Sequence, residues 1–202
     1  MIDKLLKLPS VFRLKYSSKY YRWLFRKKGI TFGSNMSIKG RISVIGLGKI
    51  VIGDNFCMTS GEHINPISAN IQASFFTDSP NAQIRIGDNV GMSSTRIWIH
   101  EELTIVNNVK IGGGVLFIDT DCHPIDYLVR RNSNEGTCSA PIVIEDDVWI
   151  GAQSIILKGV TIGARSIIGA GSVVTKSVPS DCIAAGNPCK VIKTLKNVRY
   201  LQ

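Results

Sequence analysis

Three histidines stand among the 202 residues: His63, His100 and His123. His123 lies in the run Phe117-Ile118-Asp119-Thr120-Asp121-Cys122-His123-Pro124-Ile125-Asp126. An imidazole beside carboxylates suits general-base work, because nearby anions stabilise the imidazolium formed when it takes a proton. In an arbitrary chain the same residue would be an ordinary surface-loop histidine, so its meaning depends on what positions it. Cys122 next to it invites a thiol-nucleophile reading, but adjacent side chains of an extended segment point apart. No two histidines are close in sequence, and the five cysteines (Cys57, Cys122, Cys138, Cys182, Cys189) form no C-x-x-C pair. Neither a metal site nor a disulfide framework is expected from such spacing. Scattered thiols fit a reducing, cytoplasmic location.

The elements that must position His123 are announced by a six-residue period. Ile144, Ile150, Ile156, Ile162, Ile168 and Val174 follow one another without a slip, and four residues after each comes Val148, Ser154, Val160, Ser166, Ser172 and Val178. Side chains two apart on a strand share a face, so Val148 points with Ile150 and Ser154 with Ile156. A turn must follow each short strand, where glycine or another small residue relieves crowding. Three units close a triangular coil. Coils then stack at about 4.8 Å, and stability comes from neighbouring coils, since one coil cannot bury its own face.

Upstream the period recurs with breaks. Ile52-Gly53-Asp54-Asn55-Phe56 and Ile86-Gly87-Asp88-Asn89-Val90 are good units, and Ile105, Ile111 and Phe117 form a set offset by one residue. The solenoid is therefore expected over residues 30–178. Residues 61–82, polar and holding Asn and Pro, are expected to bulge from it. Residues 119–141 separate Phe117 from Ile144 by a distance that is no multiple of six, and Arg130-Arg131-Asn132-Ser133-Asn134-Glu135-Gly136 is loop chemistry. An exposed loop on a stiff scaffold is where function usually sits. Residues 1–29 read as a basic amphipathic helical segment, and 179–202 as a cap ending in a short helix.

The N-terminal stretch up to Lys28 carries nine basic residues against Asp3 alone, which leaves the rest of the chain near neutral. The repeat region has no basic stripe with interleaved aromatics, so no nucleic-acid partner is expected. Basic residues interrupt every early apolar stretch, so no signal peptide is read there, and no apolar run is long enough to span a membrane. Trp23 and Phe25 with Arg26-Lys27-Lys28 would suit peripheral contact with an anionic inner-membrane face. A helix packed on the solenoid with a solvated basic face is the preferred reading.

Residues 141–192, from Pro-Ile-Val-Ile-Glu-Asp-Asp-Val-Trp-Ile-Gly-Ala through Ile-Gly-Ala-Gly-Ser-Val-Val-Thr-Lys to Ala-Ala-Gly-Asn-Pro-Cys-Lys-Val-Ile, resemble the C-terminal part of hexapeptide-repeat acyltransferases. Gly91-Met92-Ser93-Ser94 and the segment around His123 are similar to the branch that holds maltose, galactoside and glycan O-acetyltransferases. The resemblance covers roughly residues 30–195. It implies an all-β fold, a left-handed parallel β-helix with a short N-terminal helical segment and a C-terminal cap. It further implies a homotrimer with active sites between subunits and acetyl-coenzyme A, without a metal, in the groove between adjacent prisms.

By the same resemblance His123 matches the general base that removes a proton from a sugar hydroxyl, with Asp121 a candidate to orient it. Trp149 matches the tryptophan beside the site. Gly151-Ala152 and Gly169-Ala170 match positions along the pantetheine arm, and Thr175, Lys176 and Lys193 match the region near the nucleotide phosphates. Gly151 and Gly169 are equally required by the turn itself. Ser93 falls where simple sugar acetyltransferases carry asparagine, which implies a different acceptor geometry. Glu101, in a matching upstream coil, is a candidate for binding acceptor hydroxyls. Other readings stay open: an N-acyltransferase or serine-type acetyltransferase on the same scaffold, or a solenoid without catalysis. A zinc enzyme like the γ-class carbonic anhydrases is disfavoured by the histidine spacing.

Overall fold

A chain that turns the same way every six residues must close into a prism, and it does so in six coils. A computed structural model describes residues 18–61, 64–65, 67 and 70–195. The first coil holds β1 (Thr31–Phe32), β2 (Ser37–Gly40) and β3 (Ile42–Gly46), and the second β4 (Lys49–Ile52), β5 (Cys57–Ser60) and β6 (Ala73–Thr77). The third holds β7 (Gln83–Ile86), β8 (Gly91–Ser93) and β9 (Arg96–Ile99), and the fourth β10 (Glu102–Ile105), β11 (Lys110–Ile111) and β12 (Leu116–Ile118). The fifth holds β13 (Ile142–Ile144), β14 (Trp149–Ile150) and β15 (Ile155–Leu157), and the sixth β16 (Thr161–Ile162), β17 (Ile167–Ile168) and β18 (Val173–Val174). Each strand of a coil joins a different parallel sheet, so the prism has three faces: face 1 begins with β1, face 2 with β2 and face 3 with β3.

The anchors of the six-residue period meet inside. Ile52, Ile86, Ile105, Ile144 and Ile162 stack on face 1 and are all buried. Phe75, Ile97, Phe117, Ile156 and Val174 do the same on face 3. The small corner residues Ser154, Ser166 and Ser172 are fully buried, and each hydroxyl donates to a corner carbonyl, which satisfies a polar group that has no water.

The Gly-Asp-Asn units explain the edge between faces 1 and 2. The Asp54 N–H donates to Asp88 Oδ1 at 2.7 Å, and the Asp88 N–H to Asn107 Oδ1 at 2.9 Å, so each coil caps the turn of its neighbour. Asn35, Asn55, Asn89 and Asn108 all hold positive φ, and their amides form a continuous hydrogen-bonded ladder. Asparagine tolerates that left-handed conformation better than most residues. A Cβ at Gly53 would collide with the Asp88 carboxylate, so glycine is required there.

The breaks in the period also have structural causes. Ile105 lies nineteen residues after its partner Ile86, against the eighteen between Ile144 and Ile162: the step from Met92 to Ile97 is five residues instead of six, and that from Ile97 to Ile105 is eight instead of six, with the two extra residues at the corner 100–101. The loop 119–141 leaves between β12 on face 3 and β13 on face 1, and it carries the short helix α2 (Tyr127–Arg130). The expected bulge over 61–82 is corrected. The segment is not one bulge: β6 lies within it as a coil strand with Ala73, Phe75 and Thr77 buried, and a turn at 78–82 follows.

Both described ends of the prism are covered. Helix α1, described over residues 18–27, lies across the first coil, whose strands would otherwise present unpaired edges. Ser18 Oγ donates to Ile38 O and accepts from the Ile38 N–H, Tyr21 Oη accepts from the Ile42 N–H at 2.8 Å, and Arg22 donates to Met36 O. Phe25 is fully buried against Phe32, so it does not reach outward as a membrane contact would require. At the other end β19 (Cys182–Ala185) adds to face 2 beside β17, and β20 (Lys190–Thr194) folds back antiparallel on β19. The short helix expected at the C-terminus falls outside the described residues.

Candidate active site

His123 is exposed in the loop at the edge between faces 3 and 1. Its Nδ1 lies 3.1 Å from Asn134 Oδ1. An amide oxygen only accepts, so Nδ1 donates, and in the neutral imidazole Nε2 then keeps its lone pair. Asn134 thus fixes the tautomer that a base needs. Asp121, expected to do this, turns elsewhere: its Oδ2 pairs with Lys158 Nζ at 2.9 Å. Cys122 holds φ +63, so the chain takes a left-handed step immediately before His123. Burial pushes the Cys122 thiol up, and the charges of Asp78, Asp121 and Asp119 add to the effect. A thiol kept protonated is a poor nucleophile.

Asp119, at the base of the loop, was not separable from its neighbours in the sequence. It is fully buried, and its carboxylate accepts the backbone N–H groups of His100 at 2.7 Å, Glu101 at 2.7 Å and Glu102 at 3.0 Å. Burial raises its pKa despite those three donors, which pull the other way. The arrangement fastens the two-residue insertion at the corner 100–101 to the root of the loop. Glu101 is held on that same corner and exposed.

A groove of about 270 Å³ runs over the outside of face 2, lined by Cys57, Thr59, Ser93, Lys110, Gly112 and Trp149 among others. Gly91, Lys110 and Trp149 are successive rungs of the ladder, so glycine leaves the space that the lysine and the half-exposed indole border. Ser93 Oγ shares a hydrogen bond with Thr59 Oγ1 at 2.9 Å. Thr59 and Lys110 carry no motif and were missed in the sequence.

Gly151 is demanded by coil stacking: a Cβ there would lie 2.5 Å from Ala170 N. Ala152 and Ala170 occupy the edge between faces 2 and 3, half-buried and exposed respectively. Thr175 and Lys176 are exposed just beyond β18, at the edge between faces 3 and 1, and Lys193 is exposed on β20. One copy of the chain therefore carries the site residues in two groups. Glu101, Asp121, His123, Thr175 and Lys176 lie along one edge. Ser93, Trp149, Gly151, Ala152 and Ala170 lie on face 2 and its far edge, across the prism. Among the described residues no group of three His, Cys, Asp or Glu side chains is placed to hold a metal ion.

Residues 141–176 match the sequence pattern of the family described as bacterial transferase hexapeptide (six repeats). The galactoside O-acetyltransferase of Escherichia coli K12 is 38% identical over 125 residues, 58% of this chain and 60% of that protein. The chain spans between 38% and 62% of the length of the curated relatives it matches. A hexapeptide-repeat-containing acetyltransferase from Vibrio cholerae superposes with a TM-score of 0.60 at 27% identity, over 93% of this chain and 87% of that one. A galactoside acetyltransferase solved in complex with coenzyme A superposes with a TM-score of 0.54 at 34% identity, over 71% of this chain and 67% of that one. The chain belongs to the left-handed β-helix family of hexapeptide-repeat acyltransferases, in the branch of the sugar O-acetyltransferases.

Proposed function

We propose that the chain transfers an acetyl group from acetyl-coenzyme A to a hydroxyl of a sugar or glycan, with His123 as general base. The observation that carries this reading is the Nδ1 hydrogen bond to Asn134, which orients an exposed imidazole so that, in its neutral form, Nε2 is the nitrogen that accepts a proton. A sugar hydroxyl is a poor nucleophile at neutral pH. Nε2 takes its proton as the oxygen attacks the thioester carbonyl carbon. The tetrahedral intermediate then breaks its C–S bond, and the imidazolium returns the proton to the departing sulfur. A base of this kind contributes about 10²–10⁴-fold.

The separation of the site residues favours an assembly in which the edge of one copy meets face 2 of another. Face 3 supports such an assembly. Its outward residues Leu116, Ile118, Ile155, Leu157 and Val173 are aliphatic and half-exposed, whereas face 1 presents Gln83, Arg85, Glu102 and Thr104 outward. Aliphatic surface of this extent is stabilised by burial against another copy, and a homotrimer is the assembly we infer. Acetyl-coenzyme A would lie between copies with its pantetheine arm along Ala152 and Ala170. Its phosphates would lie near Thr175, Lys176 and Lys193, and Trp149, Ser93 and Glu101 would face the reacting groups. The scattered cysteines, all free, favour a reducing compartment.

The test is thiol release from acetyl-coenzyme A over a panel of sugars and short glycans, with coenzyme A binding followed by calorimetry. Acceptor-dependent release is expected. A protein that binds no coenzyme A would be a scaffold, contrary to this reading.

A further inference from the structure

A second oriented imidazole stands on the edge that carries His123. His100 closes β9, and its Nδ1 lies 2.9 Å from Asp78 Oδ1. The indole N–H of Trp98 donates to the other oxygen of the same carboxylate at 2.7 Å. Asp78 is thus held from two sides, and it orients His100 with the Nδ1 hydrogen on the carboxylate, so that in the neutral imidazole Nε2 is the acceptor. The His100 side chain is 52% exposed, so that nitrogen is open to a ligand. The carboxylate that orients the ring is itself immobilised by the indole.

The backbone beneath the pair is equally constrained. The corner that holds His100 and Glu101 is two residues longer than its counterpart between Ile156 and Ile162, and buried Asp119 accepts the N–H of each. Asp119 is also the root of the His123 loop. The charge of Asp78 is felt at the Cys122 thiol, immediately before His123. Two imidazoles, each with Nδ1 tied to an oxygen acceptor, therefore share one edge on the same stretch of the prism.

We propose that the Asp78–His100 pair is an acceptor subsite, in which His100 Nε2 accepts a hydrogen bond from a sugar hydroxyl neighbouring the one that His123 deprotonates. The subsite rests on the acetyl-transfer reading for its role in turnover, although not for its binding. It calls for an acceptor with at least two hydroxyls within reach of one another, and it makes His100 and Asp78 positioning residues rather than the base.

Two readouts test it. In kinetics, His100→Gln and Asp78→Asn are each expected to raise the acceptor KM about tenfold, the loss of roughly one oriented hydrogen bond. The acetyl-coenzyme A KM and kcat should stay near wild type. A deoxy acceptor lacking the neighbouring hydroxyl should show the same rise with wild type and no further rise with His100→Gln. An unchanged acceptor KM, or a loss confined to kcat, would overturn the proposal. The second readout needs no turnover. With only three histidines in the chain, long-range ¹H–¹⁵N spectra resolve each imidazole, assigned through His100→Gln and His123→Ala. The Nδ1–H tautomer at His100 and a shift of its Nε2 on adding methyl galactoside or maltose are expected; an unshifted His100 overturns the subsite. A wild type that releases no thiol yet shows the shift would sink the transfer reading and leave the subsite standing.

Discussion

At His123 the proposed chemistry turns on one hydrogen bond. Asn134 selects the tautomer, so Asn134→Ala should lower kcat about tenfold, in line with the loss of one oriented hydrogen bond, and leave coenzyme A binding unchanged. Cys122→Gly should keep activity within about threefold of wild type, since the thiol has no role and glycine accepts the φ of +63. Steady-state thiol release checks both, and a collapse with Cys122→Gly would return the sulfur to the mechanism. The candidate base was legible, because a histidine among carboxylates in a break of the repeat is a recognisable pattern. Its partner was not. Asn134 lies eleven residues on in an aperiodic loop, where spacing carries no geometric meaning. Asp121, the candidate to orient His123, pairs with Lys158 from β15's outgoing turn, and only the folded coils bring the two together.

At the scale of the coil, glycine tolerance should follow the stacking geometry. Gly151→Ala places a Cβ against the backbone of Ala170 in the coil above, and backbone cannot rotate aside. Thermal unfolding should show a loss of about 1–3 kcal/mol, the usual cost of overpacking. Gly91→Ala puts its Cβ 3.5 Å from Lys110 Cδ, an ordinary contact with a flexible side chain, and should leave Tm nearly unchanged. Equal effects at the two positions would contradict the register. The unbroken run from Ile144 to Val174 could be read directly, because every sixth side chain meets the same interior. β6 could not be read, since the residues inserted at 61–72 break its phase with Met58 and its pairing with Ile97 is set only by the neighbouring coil. The polar Asn and Asp of the Gly-Asp-Asn units were visible as turn chemistry, while their ladder of amides across coils needed the structure.

For the whole molecule, the account needs more than one copy, because a prism cannot bring its own edge onto the opposite face. Leu157→Asp, in the aliphatic strip of face 3, should shift the protein from trimer to monomer in sedimentation. It should also abolish acetyl transfer while the coils remain folded by circular dichroism, since a buried unpaired charge at a contact is strongly disfavoured. An active monomer would show that the two groups of site residues do not cooperate. The central claim, that this chain is an acetyltransferase with His123 as its base, is tested most directly by acceptor-dependent thiol release from acetyl-coenzyme A in wild type and His123→Ala. The account predicts a fall in kcat of about 100-fold or more, as the removal of a general base implies, with coenzyme A affinity unchanged. Undiminished release by His123→Ala would contradict it.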